Sequence, residues 1–440
     1  MDDLLSARSQ MAMSLGFHIL FAVAGMAMPL MMATAEILHL RTGRAVYLDL
    51  AKRWAKGTAI LFAVGAVSGT TLSFELGLLW PEFMRHAGPI VGMPFSLEAF
   101  AFFLEAIFLG IYLYGWKKLL PHWHIVVGFL VALCGLTSGV FVVAVNSWMN
   151  TPTGFDYVDG EFVNIDVWKA FLSPAFPTQA FHTAISAYSS VAFLVMGIHA
   201  WGLMRSPKSE FHRAALTIAL GFAMVSTPLQ ILSGDLAARH CGNEQPIKLA
   251  AMEGLYETQR GAPLALGGIP DDEARHLKGA IEIPKVLSLM QGFDPEHEVR
   301  GLEDFPRDEW PNTLLVRTAF SIMVMLGMAM MGVVGWSAFL IWRRRELPTG
   351  KWYLRALVAM APAGMIAVEA GWCVTELGRQ PWIIHGYMRT SEALTTVPNL
   401  VWHFGLFTVL YVFLGITVTI LLRNHVFAAP ASGAEKKEGR

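Results

Sequence analysis

The sequence predicts an all-α fold: a polytopic membrane bundle of about nine transmembrane helices, with the N-terminus outside and the C-terminus cytoplasmic. Three observations predict it. Hydrophobic residues make up 54% of the 440 and charged residues only 15%, a balance typical of chains that bury most of their surface in lipid or in themselves. Apolar windows of about 19 residues recur along the chain. Lysine and arginine collect after every second window.

The windows fall near 10–38, 54–80, 94–116, 123–147, 178–204, 213–234, 315–342, 352–377 and 396–423. The first follows MDDLLSARSQ, which opens on acids and lacks the basic region of a signal peptide, so the run from Met11 is expected to stay as a span. Arg41, Arg44, Lys52, Arg53 and Lys56 follow span one, and Lys117 and Lys118 follow span three. Arg205, Lys208 and Arg213 follow span five; Arg343, Arg344, Arg345, Lys351 and Arg355 follow span seven; Lys436, Lys437 and Arg440 end the chain. Odd-numbered spans therefore exit on the basic side, which the positive-inside rule makes cytoplasmic. The chain divides into 1–234 with six spans, an outer loop over 235–314 richer in acids than bases, three spans over 315–423, and a polar cytoplasmic tail over 424–440. A loop of that length exceeds an ordinary connection and is expected to carry function.

Several function classes have no residues to support them. Cys134, Cys241 and Cys373 lie far apart with no CxxC pair, which argues against a disulfide framework, a zinc site or an iron–sulfur cluster. There is no GxxxxGKS loop, no GxGxxG after a strand and no basic, aromatic face for nucleic acid. The net charge of −1 says little about partners. No internal repeat and no helix broken at mid-membrane is visible, which counts against a secondary transporter or channel, the rival function for a chain with intramembrane His and Glu.

Polar residues inside the spans carry the functional signal, because a charged side chain at mid-bilayer costs roughly 2.5–3.5 kcal/mol on insertion scales. The stretch VEAGWCVTELGRQPW, from Val368 to Trp382, places Glu369 and Glu376 seven residues apart on one helical face. Glu98 and Glu105 repeat that spacing in span three. Counted from the outer side, His18 in span one, Glu98 in span three, His182 in span five, Met323 in span seven and Glu376 at the exit of span eight share one layer. Imidazole, thioether and carboxylate are haem-ligand chemistry, His with Met being a low-spin electron-transfer pair. Each also has a plain structural meaning: a hydrogen-bonded core histidine, or packing by the methionine run Met323, Met325, Met328, Met330 and Met331. Glu105, about 10 Å deeper at ~1.5 Å per residue, is placed to relay protons from the cytoplasmic side. Glu75 in span two fits structural pairing and proton work equally. In the outer loop, Lys248 and Glu253 on KLAAMEGLYETQ could bind and deprotonate a quinol, or form a solvated surface ion pair.

Taken together, MSLGFHILFA around His18, PFSLEAFAFFLEAIFLGIYLYGW around Glu98 and Glu105, NSWMNTP at Asn146, FHTAISAY at His182, KLAAMEGLYETQ and the GRQPW exit resemble subunit I of the cytochrome bd quinol oxidases, from about Arg8 to about Arg423. The resemblance implies a subunit of a terminal oxidase of the bacterial cytoplasmic (inner) membrane that oxidises quinol at the outer face and reduces O2 to water without proton pumping. It implies His182 and Met323 as axial ligands of a low-spin haem b. It implies His18 and Glu376 as ligands of a high-spin haem b and a haem d, or a third haem b in its place, with Glu98 at the oxygen site and Glu105 on its proton route. Arg379 in the GRQPW exit is expected to meet haem propionates, and Lys248 and Glu253 to form the quinol site. The implied partners are a homologous subunit II, a small single-helix accessory subunit, and the lipid bilayer, with no nucleic acid. Two features depart from many members: Ser321 stands where an arginine precedes the ligand methionine, and the loop is of the short, in part cyanide-insensitive branch.

Overall fold

A computed structural model describes residues 2–427. The bases Lys436, Lys437 and Arg440 and the tail from 428 onward lie outside the described residues. Among the described residues nine helices are long and apolar enough to cross a membrane. They are Asp3–Thr42, Ala45–Leu79, Pro81–Gly115, Pro121–Asn150, Phe176–Arg205, Glu210–Glu244, Thr313–Arg344, Lys351–Leu377 and Leu400–Phe427. They correspond one for one to the nine apolar windows and overrun most of them. Helical hydrogen bonding continues through polar ends that hydropathy discounts. Asp2 accepts from the Leu5 N–H at 2.6 Å to start span one, and Asn312 accepts from Leu315 N–H at 3.0 Å to start span seven. Span six likewise continues as helix to Glu244, beyond its apolar window.

Consecutive spans pair as one with two, three with four, five with six and seven with eight, while span one also packs on four, five and nine. Span one is thus the central post, and its apolar window is the most enclosed of the nine. The connections gather at two ends. At one end His385 N–H donates to Met149 C=O at 3.0 Å, Thr395 N–H to Leu79 C=O at 3.0 Å, and Leu400 N–H to Asp3 at 2.8 Å. This is the loop face. At the other, basic end Arg44 pairs with Glu210 and Arg53 lies over the Phe211 ring at 4.8 Å.

Span eight departs from expectation. It is two helices, Lys351–Ala359 and Ala363–Leu377, separated at Met360–Pro362. Pro362 has no N–H and its ring crowds the carbonyl four residues back, which removes a ladder bond at this point; Ala363 N–H bonds Met360 C=O at 3.1 Å instead. The break sits where span five comes closest. A Cβ on Gly197 would lie 2.3 Å from the Ala361 Cβ, and one on Gly364 would lie 2.4 Å from the Ser190 Cα. Small residues here let two backbones meet, the usual way helices gain contact in lipid.

The loop holds a short helix, Pro246–Glu253, and antiparallel ribbons such as Leu264–Leu266 with Ile281–Ile283 and Ile269–Asp271 with His276–Lys278. They cap the bundle without altering its all-α character.

Gly197→Val is expected to force spans five and eight apart and cost ~1–3 kcal/mol by overpacking. A thermal melt of the purified protein checks this: a fall of several degrees is expected, with Gly110→Ala, which meets no neighbour within 4 Å, as the unchanged control.

Candidate active site at the loop face

Four elements converge beneath the loop: the ends of spans four and eight, the start of span seven, and the helix Pro246–Glu253. NSWMN ends span four with Asn146 and Asn150 one turn apart on one face. Asn146 donates its amide to one oxygen of Glu376, and Arg379 donates to the other at 2.6 Å. Asn150 donates to Asn146 C=O at 2.8 Å and to its Oδ1 at 3.1 Å, while its own Oδ1 accepts from the Lys248 ammonium. Gln245 fastens the Asn150 carbonyl at 2.8 Å. One unbroken line of side chains therefore runs from Lys248 through Asn150, Asn146 and Glu376 to Arg379. Gly378 makes this possible, since a Cβ there would lie 2.9 Å from the Lys248 side chain.

Lys248 and Glu253 are both buried, at 4% and 7% exposure. The solvated ion pair allowed by the sequence is therefore ruled out, and the two are not bonded to each other. Glu253 instead faces Arg317 of span seven, whose Nη1 lies 3.5 Å from its carboxylate. Arg317 also donates to the carbonyls of Met252 at 2.9 Å and Gly267 at 2.7 Å, locking the ribbons onto the bundle. Arg317 is not among the residues the sequence singles out, although a cation one turn inside an apolar helix is a signal for it. Burial pushes the Glu253 carboxyl up to about 7, against the opposing pull of Arg317, and pushes the Lys248 ammonium down to about 8. Both groups thus change charge near neutrality.

The deeper candidates sit in separate settings. The His18 ring meets Ser68 of span two, Nδ1 to Oγ at 2.9 Å, and His182 meets Ser233 of span six at 2.9 Å. The amide nitrogen of Gln230 lies 3.1 Å from His182 Nε2. The Met323 sulfur packs against Gly371 of span eight, 3.1 Å from where a Cβ would stand. Glu98 accepts from Ser138 at 3.3 Å. Glu105 is buried between Gly25 and Gly135 with one oxygen unpartnered. Glu75, placed equally between structural and proton roles by sequence, accepts from Gln10 at 3.1 Å and Ser14 at 2.8 Å, its other oxygen unpartnered. Glu369 reaches span one beside Gly16, and its Oε1 is unpartnered. No direct bond joins His18, His182, Met323 and Glu376 among the described residues.

The chemistry of these donors fits haem. Imidazole, thioether and carboxylate are all donor types that haem iron accepts. Arg379, 3% exposed, leaves its Nε and Nη1 unpartnered, a buried cation with spare donors next to Glu376 of the kind a propionate would satisfy.

Comparison with known proteins places this geometry in context. Residues 6–430 match the family model described as cytochrome bd terminal oxidase subunit I. A chain of Bacillus subtilis (strain 168), provisionally named cytochrome bd menaquinol oxidase subunit I, is 38% identical over 96% of both chains. Cytochrome bd-II ubiquinol oxidase subunit 1 of Escherichia coli (strain K12) is 27% identical over 89% of this chain and 90% of its own. The solved structure of bd oxidase from Geobacillus thermodenitrificans superposes with a TM-score of 0.92 at 39% identity, over 98% of this chain and 99% of that one.

Arg317→Gln removes the only cation bonded to Glu253 among the described residues, and so should raise the carboxyl's midpoint above about 7. Infrared difference spectra at pH 7 are expected to gain a protonated-carboxyl band that Glu253→Gln abolishes.

Proposed function

Because the chain belongs to the cytochrome bd oxidase subunit I family, haem-containing quinol:oxygen oxidoreductases of the bacterial inner membrane that contribute to the proton motive force, we propose that the loop face is its quinol-oxidising, periplasmic side. The reading rests on one observation above all, the hydrogen-bonded line from Lys248 through Asn150, Asn146 and Glu376 to Arg379, which joins the loop lysine to Glu376.

In this reading Glu253 takes a proton from bound quinol while Lys248 donates to a quinol oxygen. His182 and Met323 would hold a low-spin haem b, and His18 and Glu376 a high-spin haem b with a haem d, or a third haem b in its place; Arg379 would neutralise a propionate. When bound, these groups supply electron transfer and oxygen activation. Glu98 and Glu105 would carry protons from the opposite face. Support for that direction comes from the same face of span three, where Tyr112, seven residues beyond Glu105, donates to Glu36 at 3.0 Å, and His124 contacts Glu36 at 2.8 Å. Quinol protons would leave on the loop side and oxygen-bound protons enter from the basic side, so charge separates without pumping. The orientation is then N-terminus outside and C-terminus inside, with 1–234, 315–423 and the loop between them as working units. A homologous subunit II and a small single-helix accessory subunit would complete the complex.

His182→Ala or Met323→Leu is expected to remove the low-spin haem signal from the reduced spectrum together with quinol oxidation. An unchanged spectrum in either variant would refute the ligation.

The pH profile follows from the loop pair. Glu253 serves as base only when ionised, so quinol oxidation should rise with pH through about 7; Lys248 donates only when protonated, so it should fall above about 8. Measured as kcat/KM for quinol, Glu253→Gln should flatten the acid limb and cut the rate at least tenfold. Turnover with an artificial donor should persist, and equal loss of both activities would mean misfolding rather than a lost base.

A further inference from the structure

Two histidines on different spans are held by the same device. Ser68 and Gly69 of span two face His18 of span one, and Ser233 and Gly234 of span six face His182 of span five. Both serines are fully buried. Ser68 Oγ donates its proton to Gly65 C=O at 3.1 Å, and Ser233 Oγ donates to Gln230 C=O at 2.9 Å. A hydroxyl has one proton. With that proton committed to a helical carbonyl, each Oγ can only accept from the histidine nitrogen 2.9 Å away, so Nδ1 carries the hydrogen and Nε2 keeps its lone pair. The Gln230 amide nitrogen lies 3.1 Å from His182 Nε2 and 3.2 Å from Nδ1, close to both ring nitrogens, so the serine alone distinguishes them. The glycine after each serine lies against the ring, and at Gly69 a side chain would clash with it. A Cβ on Gly69 would lie 2.8 Å from His18 Cε1, and one on Gly234 3.5 Å from His182 Cε1.

We propose that Ser68 and Ser233 are positioning residues that fix the Nδ1–H tautomer of His18 and His182 and so present Nε2 to iron. This rests on the ligand reading given above. A ligating imidazole whose other nitrogen donates a hydrogen bond is oriented by it and becomes a stronger electron donor. Losing the serine oxygen removes that acceptor, leaving only the Gly65 backbone beside His18, weakens donation to ferric iron, and favours the ferrous state. The potential of the haem on that histidine then rises.

The test uses the purified complex carrying Ser233→Ala, Ser233→Thr, Ser68→Ala or Ser68→Thr, with His182→Ala as the reference. Haem per chain, the low-spin midpoint by redox titration, and the iron–histidine stretch of the reduced high-spin haem by resonance Raman are read. Ser233→Ala should shift the reduction equilibrium about tenfold toward ferrous, which is 59 mV for one electron, and Ser233→Thr should restore it by keeping the hydroxyl. Ser68→Ala should lower the stretching frequency or deplete haem at that site, and Ser68→Thr should not. Should an alanine variant fail to assemble, its threonine counterpart decides: native midpoint and frequency support the role, and equal failure overturns it. Unchanged values in both alanine variants also overturn it. If those values hold while His182→Ala still loses the low-spin haem, the serines are exonerated and the ligation stands. If His182→Ala keeps that haem, the ligand reading itself fails.

Discussion

Burying cations is the constraint from which the loop-face architecture follows. Lys248, Arg317 and Arg379 are each no more than 4% exposed, and a buried charge persists only when it is paired and hydrogen-bonded. The solution for Lys248 and Arg379 is a single line of polar side chains through Asn150, Asn146 and Glu376. The solution for Arg317 is Glu253 plus loop carbonyls. The bonds from Lys248 to Asn150, from Asn146 to Glu376 and from Arg317 to Glu253 each join separate pieces of chain. The loop helix, the end of span four, the exit of span eight and the start of span seven are consequently held in one register. The spacing of the loop helix from Glu376 is fixed by the same bonds that make the loop stable.

Below that shell, spacing is set by small residues. Gly197 and Gly364 bring span eight onto span five at its proline break. Gly25 and Gly135 flank the carboxylate of Glu105, and Gly371 receives the Met323 sulfur. A helix broken inside the membrane would, by itself, favour a transporter. Here the break lies in the part of span eight away from Glu376 and is packed on Gly197, while family membership makes the chain an oxidoreductase.

Much of this was legible in the sequence because two strong signals do not depend on tertiary context. Hydropathy windows located nine spans, and seven-residue spacing put Glu98 with Glu105 and Glu369 with Glu376 on shared faces. What tertiary packing decides was not legible. Lys248 and Glu253 looked like a surface pair because an amphipathic octapeptide has the same pattern whether its polar face meets water or buried asparagines. Arg317 drew no reading, since nothing local announces that ribbons from the loop will close over it. Pro362 was visible, yet proline often passes unbroken through a membrane helix, as Pro29 does in span one. The Ser–Gly pairs were hidden by their brevity: two residues make no detectable repeat, and only the facing histidines give them meaning.

The most direct measurement is a reduced-minus-oxidised spectrum of the purified complex together with extraction and quantification of its haems. Three haems on this chain, one of them low-spin and lost with His182, are expected from the ligand set of His18, His182, Met323 and Glu376. A complex with no porphyrin, or with a single haem per chain, would contradict it.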